Sequence, residues 1–214
     1  MMVARDSAGD TAAVEVLFGF VLAAVAGIAV ALVIVRFERF GKALYPLVVL
    51  FQNVPKVALA PIFILWFGYD LTPKVVLIVV IAFFPVAIDM LAGLQSVEPS
   101  FVALMQSVGA SRSEILRRVR VPHSLPHLMA GLKVAITFSV IGAIVGEFAG
   151  GASAGLGYVI QFASTQLETP MVFAALVVVS VLGLFFYYLV EFAERLLVPW
   201  SPKFERMQPD QAGA

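Results

Sequence analysis

The sequence contains no cysteine and few charged side chains. Without cysteine it has no disulfide framework and no thiolate metal site. Charged residues make up 13% of the 214 residues, whereas a soluble domain has about 25%. Lysine plus arginine (14) equals aspartate plus glutamate (14), so the formal net charge is zero. No global basic field is available to attract nucleic acid, and we expect no nucleic-acid partner.

Signs of catalysis are also missing. His123 and His127 lie close together, but no third metal ligand is evident near them. Gly150–Gly157 has the glycine spacing of a phosphate-binding loop, yet Leu156 and Gly157 stand where lysine and serine or threonine are needed. No nucleophile and base form a recognisable set. We therefore expect no enzyme activity, no metal and no cofactor in this chain.

Apolar residues, in contrast, are abundant. They account for 61% of the chain, against about 45–50% in soluble proteins, and water penalises the exposure of so much apolar surface. A helix that crosses a bilayer needs about 20 mostly apolar residues. Five stretches qualify: 14–35, 44–67, 75–94, 128–148 and 170–192. The pattern predicts an all-α polytopic membrane protein, with a short N-terminal tail at 1–13 and a C-terminal tail at 201–214.

The basic residues are distributed unevenly around these five spans. Ten of the fourteen lie on one side: Arg36, Arg39, Lys42, Arg112, Arg117, Arg118, Arg120, Arg195, Lys203 and Arg206. The opposite side has Arg5 and Lys74. Because cytoplasmic loops carry the excess of lysine and arginine, we expect a cytosolic C-terminus and an outward N-terminus. An outward N-terminus leaves open whether a further span precedes the first one.

The second stretch is interrupted by prolines and polar side chains: Pro46, Pro55, Pro61, Gln52, Asn53 and Lys56. Proline removes a backbone donor and kinks a helix. In lipid the freed carbonyls need partners, so such a segment is buried in protein or lines a water-filled path. A kinked packing helix is the alternative. The clustering of polar groups at the break favours a translocation pathway.

Three ionisable residues fall in apolar runs, namely Asp89, Lys133 and Glu147. An intramembrane charge costs about 2.5–3.5 kcal/mol on insertion scales. All three lie near span ends, so snorkelling to the interface is the alternative, above all for Asp89 and Lys133. Glu147 precedes Phe148 and glycines, and we expect it to line the pathway or to hold a gate or loop. Gly142 and Gly146 form a weak GxxxG signal for helix association.

The long polar loop at 95–127 predicts two short helices with a glycine corner between them. Glu98, Pro99 and Ser100 begin the first helix, and Phe101, Leu104, Met105 and Val108 recur at helical spacing. Gly109 breaks the run. Ser111 and Glu114 form a capping box for the second helix, which we expect to end at Pro122 and Pro126. A membrane-surface helix or a solvated basic face is possible, but a rigid helix pair with an apolar tip suits docking on a partner protein.

These residues resemble a known family. Gly109, followed about fifteen residues later by Ser124, Leu125 and Pro126, is similar to the EAA loop of ABC-importer permeases. Motifs from about Val14 to Trp200 resemble the taurine, aliphatic-sulfonate and nitrate branch: Gly19-Phe20, Pro46-Leu47, Pro55 to Pro61, Trp66-Phe67-Gly68, Phe83-Phe84-Pro85, Gly109-Ala110-Ser111, Gly146-Glu147-Phe148, Gly155 to Tyr158 and Pro199-Trp200.

The resemblance implies a type I importer fold in a bacterial inner membrane, surrounded by lipid. Two permease copies, as a homodimer, would form the pore. Two cytosolic ATPases would bind ATP and magnesium, and an extracytoplasmic solute-binding protein would deliver cargo. The coupling segment falls at about Ala103 to Arg118, with these candidate coupling residues: Ala103, Leu104, Met105, Gly109, Ala110, Ser111, Leu116, Leu125 and Pro126. Ala103, Leu104 and Met105 replace Glu-Ala-Ala, so the family glutamate's contact does not carry over.

The implied function is alternating access for a small solute, either a sulfonate-, taurine- or nitrate-like anion or a pyrimidine-type vitamin precursor. The candidate pathway residues are Gln52, Asn53, Pro55, Lys56, Pro61 and Glu147. Lys56 and Lys133 favour an anion unless both lie at the interface. A proton-coupled secondary transporter that uses Asp89 and Glu147 is the alternative function, and a partner-binding scaffold is a further one.

Overall fold

The computed structural model describes residues 3–150 and 155–200, and these ranges contain helices and no β-strand. Nine α-helices are described: α1 Val3–Arg36, α2 Glu38–Gln52, α3 Ala60–Phe67, α4 Leu71–Gln95, α5 Pro99–Ser107, α6 Arg112–Ile115, α7 Val121–Ala149, α8 Leu156–Thr165 and α9 Thr169–Leu197. A 3-10 turn, Lys56–Leu59, precedes α3, and a π-helical segment, Leu116–Arg120, joins α6 to α7. The all-α prediction is confirmed.

Four helical stretches are long and apolar enough to cross a membrane: Ala13–Arg36, Leu71–Gln95, Arg112–Ala149 and Thr169–Leu197. A fifth candidate is a bent pair, Ala43–Gln52 with Lys56–Phe67, whose two parts meet at 83°.

Helices α1 and α4 pack side by side and run in the same direction. Glu15 pairs with Lys74, 59 residues later. Gly19 packs on Ile78 and Gly27 on Val86, with the same offset. Because both helices point the same way, the chain between them must travel back along the bundle. The bent pair is the segment that makes this return, which supports treating it as one crossing.

Helices α4 and α7 pack antiparallel at close range, with glycine providing the space. Gly93 of α4 meets Ser124 and His127. In the other direction, three glycines of α7 face α4: Gly131 faces Asp89, Gly142 faces Ile78, and Gly146 faces Lys74. Small residues allow helix backbones to approach closely. Gly142 and Gly146 are therefore used within the chain, against α4.

Helix α9 lies antiparallel to α7. Its Phe186 is buried in a cluster with Ile136 and Val140 of α7, and Glu194 pairs with Lys133. Most of the remaining α9 surface is apolar and exposed, including Phe173 and Phe185. Such a face suits lipid or another apolar partner.

These helix directions give the bundle two distinct ends. We call the end that contains Glu15, Lys74, Glu147 and α8 the glutamate end. The opposite end holds Arg36, Gln95, α5, α6 and the last turn of α9, and we call it the arginine end. Arg112, Arg117, Arg118, Arg120 and Arg195 all belong to the arginine end. The basic residues that sequence analysis grouped on one side are thus grouped at one end of the fold, as far as they are described.

The structure departs from the predicted boundaries in three places. The expected tail at 1–13 is helical from Val3 and continuous with α1. Pro46 lies inside α2 without breaking it. Pro122 and Pro126 do not end the second helix of the polar loop, because α6, the π-helical segment and α7 run on without interruption from Arg112 to Ala149.

The prolines are tolerated for local reasons. Pro122 lies inside this continuous helix and removes one backbone N–H donor from it. The π-helical segment just before it widens the backbone, and such bulges often absorb an irregularity in a long helix. The predicted C-terminal tail at 201–214 lies outside the described residues.

Candidate functional site

The break between α2 and the 3-10 turn is built from the predicted pathway residues. Pro55 has no N–H to continue the helix, so α2 ends at Gln52. The Asn53 side-chain amide donates to the Val49 carbonyl at 3.0 Å. The Lys56 ammonium donates to the Gln52 carbonyl at 2.8 Å. Two side chains thus satisfy carbonyls that the break leaves without helical partners.

Lys56 lies at mid-depth in the bundle. Its Nζ sits 4.5 Å from the centroid of the Phe84 ring. Phe84 is thirteen residues from the start of α4 and eleven from its end, or roughly 20 Å and 16 Å at 1.5 Å per residue. Lys56 therefore lies beside the middle of α4 and not beside either of its ends. Gln52, Asn53 and Pro55 are exposed around it. A charged side chain in contact with lipid inside the membrane is costly.

The other two predicted pathway residues lie elsewhere. Pro61 is exposed in the first turn of α3. Helix α3 itself is anchored by Ala60 and Phe63, which pack with Leu77 and Ile81 of α4. Glu147 is buried at the glutamate end, away from the break. The structure thus brings Gln52, Asn53, Pro55 and Lys56 together and leaves Glu147 apart.

Glu147 belongs to a buried ionic cluster at the glutamate end. Its Oε2 accepts a hydrogen bond from the backbone N–H of Gly157 in α8. Lys74 and Glu15 are close enough to act on it electrostatically. The Lys74 ammonium pairs with Glu15 Oε1 at 3.0 Å, and both side chains are largely buried. Two carboxylates and one ammonium thus join α1, α4, α7 and α8.

Glycines make room for this carboxylate. Gly155 has φ +129°, and a Cβ there would overlap the Glu147 carboxylate. A Cβ on Gly157 would lie 2.8 Å from Glu147 Oε2. The glycines that mimic a phosphate-binding loop therefore surround a glutamate, although 151–154 lie outside the described residues.

Sequence analysis did not single out Glu15. The signal was its position between Val14 and Val16, one residue inside an apolar run. A buried carboxylate needs a partner, and Lys74 at the start of another span is of opposite charge. Which lysine it meets depends on the 59-residue offset of α1 and α4, and that is a property of the folded bundle.

Two further intramembrane ionisable residues have structural partners. Lys133 forms an ion pair with Glu194 and lies 5.9 Å from the Tyr187 ring centroid. Asp89 packs on Gly131 and lies close to His127. Gly131 and Glu147 are sixteen residues apart on α7, about 24 Å along the helix. Asp89 and Glu147 therefore do not share a site.

The predicted glycine corner at the arginine end is present. Helix α5 ends at Ser107, Gly109 has φ +83°, and α6 starts directly after Ser111. Phe101, Leu104 and Val108 are 59%, 61% and 73% exposed. These three side chains form an apolar tip, and neighbouring Ala103 and Met105 lie on the same short helix.

The second half of the corner is fixed by the predicted capping box. The Ser111 hydroxyl accepts from the Glu114 N–H at 3.3 Å. Glu114 Oε2 in turn accepts from the Ser111 N–H and hydroxyl, both at 2.9 Å. These hydrogen bonds from Ser111, the backbone one first, hold the pKa of the Glu114 carboxyl below its ordinary value, and Arg118 contributes less.

Three of the candidate coupling residues are not on this corner. Leu116 and Leu125 pack against the buried core. Pro126 lies inside α7. Ala103, Leu104, Met105, Gly109, Ala110 and Ser111 remain together at the surface turn.

Comparison with known proteins agrees with this architecture. Residues 19–198 match the family described as binding-protein-dependent transport system inner membrane component. The formylaminopyrimidine transport permease protein ThiX of Halalkalibacterium halodurans is 39% identical, over 86% of this chain and 74% of that protein. The riboflavin transport system permease protein RibX of Chloroflexus aurantiacus is 35% identical, over 75% of this chain and 59% of that protein. The taurine transport system permease protein TauC of Escherichia coli is 33% identical, over 72% and 56%.

Solved structures show the same fold. An inward-facing structure of the MetNI methionine ABC transporter superposes with a TM-score of 0.68 and 21% identity, covering 93% of this chain and 95% of that one. An amino acid ABC transporter crystallised with histidines gives a TM-score of 0.69 and 18% identity, covering 92% and 95%. The chain belongs to the binding-protein-dependent inner membrane component family, the permease subunits of ABC importers, in which a separate subunit hydrolyses ATP.

Proposed function

We propose that this permease moves a small solute across the membrane by alternating access, driven by a cytosolic ATPase. The broken second span, with Lys56 at mid-depth, carries this proposal. Unwound helix segments at the midplane line binding sites in other transporters. Here one ammonium, that of Lys56, and two amide side chains, those of Gln52 and Asn53, lie together at such a break, and Lys56 lies against Phe84 near the middle of α4.

The same residues support a proposal for the cargo class. The Lys56 ammonium has no carboxylate partner among the described residues, so it favours a solute with anionic or carbonyl oxygens, because a bound oxygen compensates a charge that lipid would not. Relatives are named for taurine, aliphatic sulfonates and a formylaminopyrimidine. We propose a sulfonate-, taurine- or nitrate-like anion or a pyrimidine-type vitamin precursor as cargo, delivered by an extracytoplasmic solute-binding protein.

The ATPase is proposed to dock at the arginine end, on the apolar tip of α5. Phe101, Leu104 and Val108 are exposed together, and the Gly109 turn and the capping box hold the tip rigid. Rigid exposed apolar side chains suit a groove on a partner protein. Because α6 continues into α7, a push on the corner would be transmitted directly to a spanning helix.

The proposal includes an orientation in the membrane and an assembly. The arginine end, with the C-terminus, faces the cytosol by the excess of basic residues. The glutamate end faces outward. A second copy of the chain completes the pore, and lipid surrounds it.

The test is uptake by proteoliposomes that hold the permease, its ATPase and ATP, with the solute-binding protein outside. Lys56→Met is expected to lower anion uptake at least about tenfold, since it removes the midplane charge, while Lys56→Arg retains much of it. Wild-type uptake of a pyrimidine with little loss in Lys56→Met would select the neutral cargo class. Unchanged uptake of every cargo in Lys56→Met would contradict the pathway role of the break.

The proton-coupled alternative gains no support from the geometry. Asp89 and Glu147 lie about 24 Å apart along the bundle, and Glu147 is engaged by Gly157. Uptake that a protonophore abolishes and that persists without ATP would nevertheless favour it over the ATP-driven mechanism.

A further inference from the structure

A cavity of about 590 Å³ opens at the arginine end, apart from the break and the apolar tip. It lies where the ends of α1 and α4, the start of α2, and α5 and α6 meet. Arg36, Arg112 and Arg120 line it, together with Tyr45, Gln95 and Gln106. None of the described residues that line it is acidic.

Arg36 and Arg120 together give this cavity positive charge, which favours an anionic ligand. Arg36 is exposed and Arg120 is half-buried. Arg112 has a further interaction of its own, so the inference depends on the other two. Guanidinium groups bind phosphate through paired N–H donors, and Tyr45 and Gln106 add neutral polar groups suited to ester or hydroxyl oxygens.

The cavity also lies at a particular depth. Arg36 is the last residue of one apolar span, and Gln95 is the last residue of another. The cavity therefore sits beside the ends of two apolar spans, at the level at which phospholipid headgroups are found. Beside the arginines its wall is apolar, formed by Ile34, Val35 and Ile115 among others.

From this geometry we propose that the cavity binds the phosphate of an anionic glycerophospholipid. The arginines hold the headgroup, and the apolar wall holds the start of an acyl chain. Basic pockets between helices on the cytoplasmic side are a known means of binding anionic lipid. A free phosphate ion has the same headgroup chemistry but would leave the apolar wall without a partner.

A lipid in this cavity would affect the structure around it. The cavity joins the C-terminal ends of α1 and α4 to the corner that carries the apolar tip. A lipid bound there would link the spans to α5 and α6 and stabilise that arrangement by mass action. The inference does not depend on which cargo is transported or on whether an ATPase docks.

The test is lipid titration of the purified, delipidated chain, followed by native mass spectrometry. Phosphatidylglycerol is compared with phosphatidylcholine. The double variant Arg36→Gln with Arg120→Gln is expected to lower phosphatidylglycerol affinity at least about tenfold, because each basic residue near an anionic lipid contributes a factor of several. Affinity for phosphatidylcholine is expected to stay the same.

The matched control is Arg117→Gln with Arg118→Gln, which removes the same charge from the arginine end but outside this cavity. It is expected to retain wild-type affinity within about twofold. Arg36→Lys with Arg120→Lys keeps the charge and should restore binding, which separates lost binding from misfolding. Equal losses in both glutamine pairs would overturn the proposal in favour of diffuse attraction. If inorganic phosphate displaces the lipid and also stabilises the chain in phosphatidylcholine nanodiscs, the proposal would be overturned in favour of the free anion.

Discussion

The buried carboxylate of Glu147, in the last turn of α7, accepts a hydrogen bond from the backbone N–H of Gly157, ten residues later. This contact ties the first turn of α8 to the spanning bundle at the glutamate end. Gly155 and Gly157 leave the space that the carboxylate fills. The segment between the fourth and fifth spans is therefore anchored at its described end by one glutamate.

Replacing Glu147 by alanine should destabilise the chain. The substitution leaves the buried Gly157 N–H without its acceptor, which costs about 1–3 kcal/mol, and it empties a packed site. Thermal unfolding in detergent measures the effect. Glu147→Gln keeps the shape and one acceptor oxygen, so it should lie between the wild type and alanine. A Glu147→Ala midpoint equal to that of the wild type would show that α8 does not depend on this contact.

The Glu15–Lys74 pair should behave as a coupled unit. Lys74→Met leaves two carboxylates in the cluster without their cation, and breaking a buried pair from one side typically costs about 3–5 kcal/mol; some exposure of Lys74 places the expected loss at the lower end. Glu15→Gln with Lys74→Met should lose less than the sum of the two single variants. A double-mutant cycle in reversible unfolding checks this. Strict additivity would mean that the ion pair contributes nothing.

Replacing Gly131 at the α4–α7 contact should destabilise the chain. In Gly131→Ala the new methyl would lie 2.9 Å from the Pro85 carbonyl oxygen, which is backbone and cannot move aside easily. Overpacking of this kind costs about 1–3 kcal/mol. Gly183→Ala on α9 is the matched control, since a Cβ there meets nothing within 4 Å. It should be neutral or stabilise by about 0.5–1 kcal/mol. Equal midpoints for the two variants would contradict the close packing.

The effect of a substitution at Gly109 should depend only on whether the new residue tolerates the backbone conformation there. Its φ is +83° and a Cβ would meet nothing within 4 Å, so any effect of a side chain arises from strain. Asparagine tolerates this region, whereas β-branched valine does not. Gly109→Val should therefore weaken binding of the ATPase to the purified permease, while Gly109→Asn should bind nearly as well as the wild type. Equal binding by both would argue against a rigid docking corner.

The capping box should weaken in acid. The folded-state pKa of Glu114 is below its ordinary value, so its contribution is present above that ordinary value, about 4.3, and is lost as pH falls through the folded pKa. Hydrogen exchange of the α6 amides, compared at each pH between wild type and Glu114→Ala, measures it. Protection should differ at neutral pH and converge in acid. A difference that persists at the lowest pH would contradict the assignment.

Much of this architecture was predictable because the signals are local. Apolar run length identified the spans, and Pro55 with Asn53 and Lys56 located the break. Ser111 and Glu114 gave the capping box, and Gly109 gave the turn. Each depends on residues that are neighbours along the chain.

The remaining features depend on distances across the bundle. Glu15 meets Lys74 only through the parallel packing of α1 and α4, and Lys56 reaches mid-depth only because the chain returns beside α4. The continuity through Pro122 and Pro126 was missed because a π-helical segment has no clear sequence signature, while proline usually ends a helix.

ATP-driven uptake with an altered α5 tip tests the central proposal most directly. Leu104→Asp places a charge on the exposed apolar tip, and Ser113→Asp places the same charge on the exposed polar side of α6, where a helix start tolerates it. In proteoliposomes with the ATPase, ATP and the solute-binding protein, Leu104→Asp should abolish ATP-dependent uptake and ATPase binding, and Ser113→Asp should leave both close to wild type. Full uptake by Leu104→Asp, or uptake by the wild type without the ATPase, would contradict an importer driven through this corner.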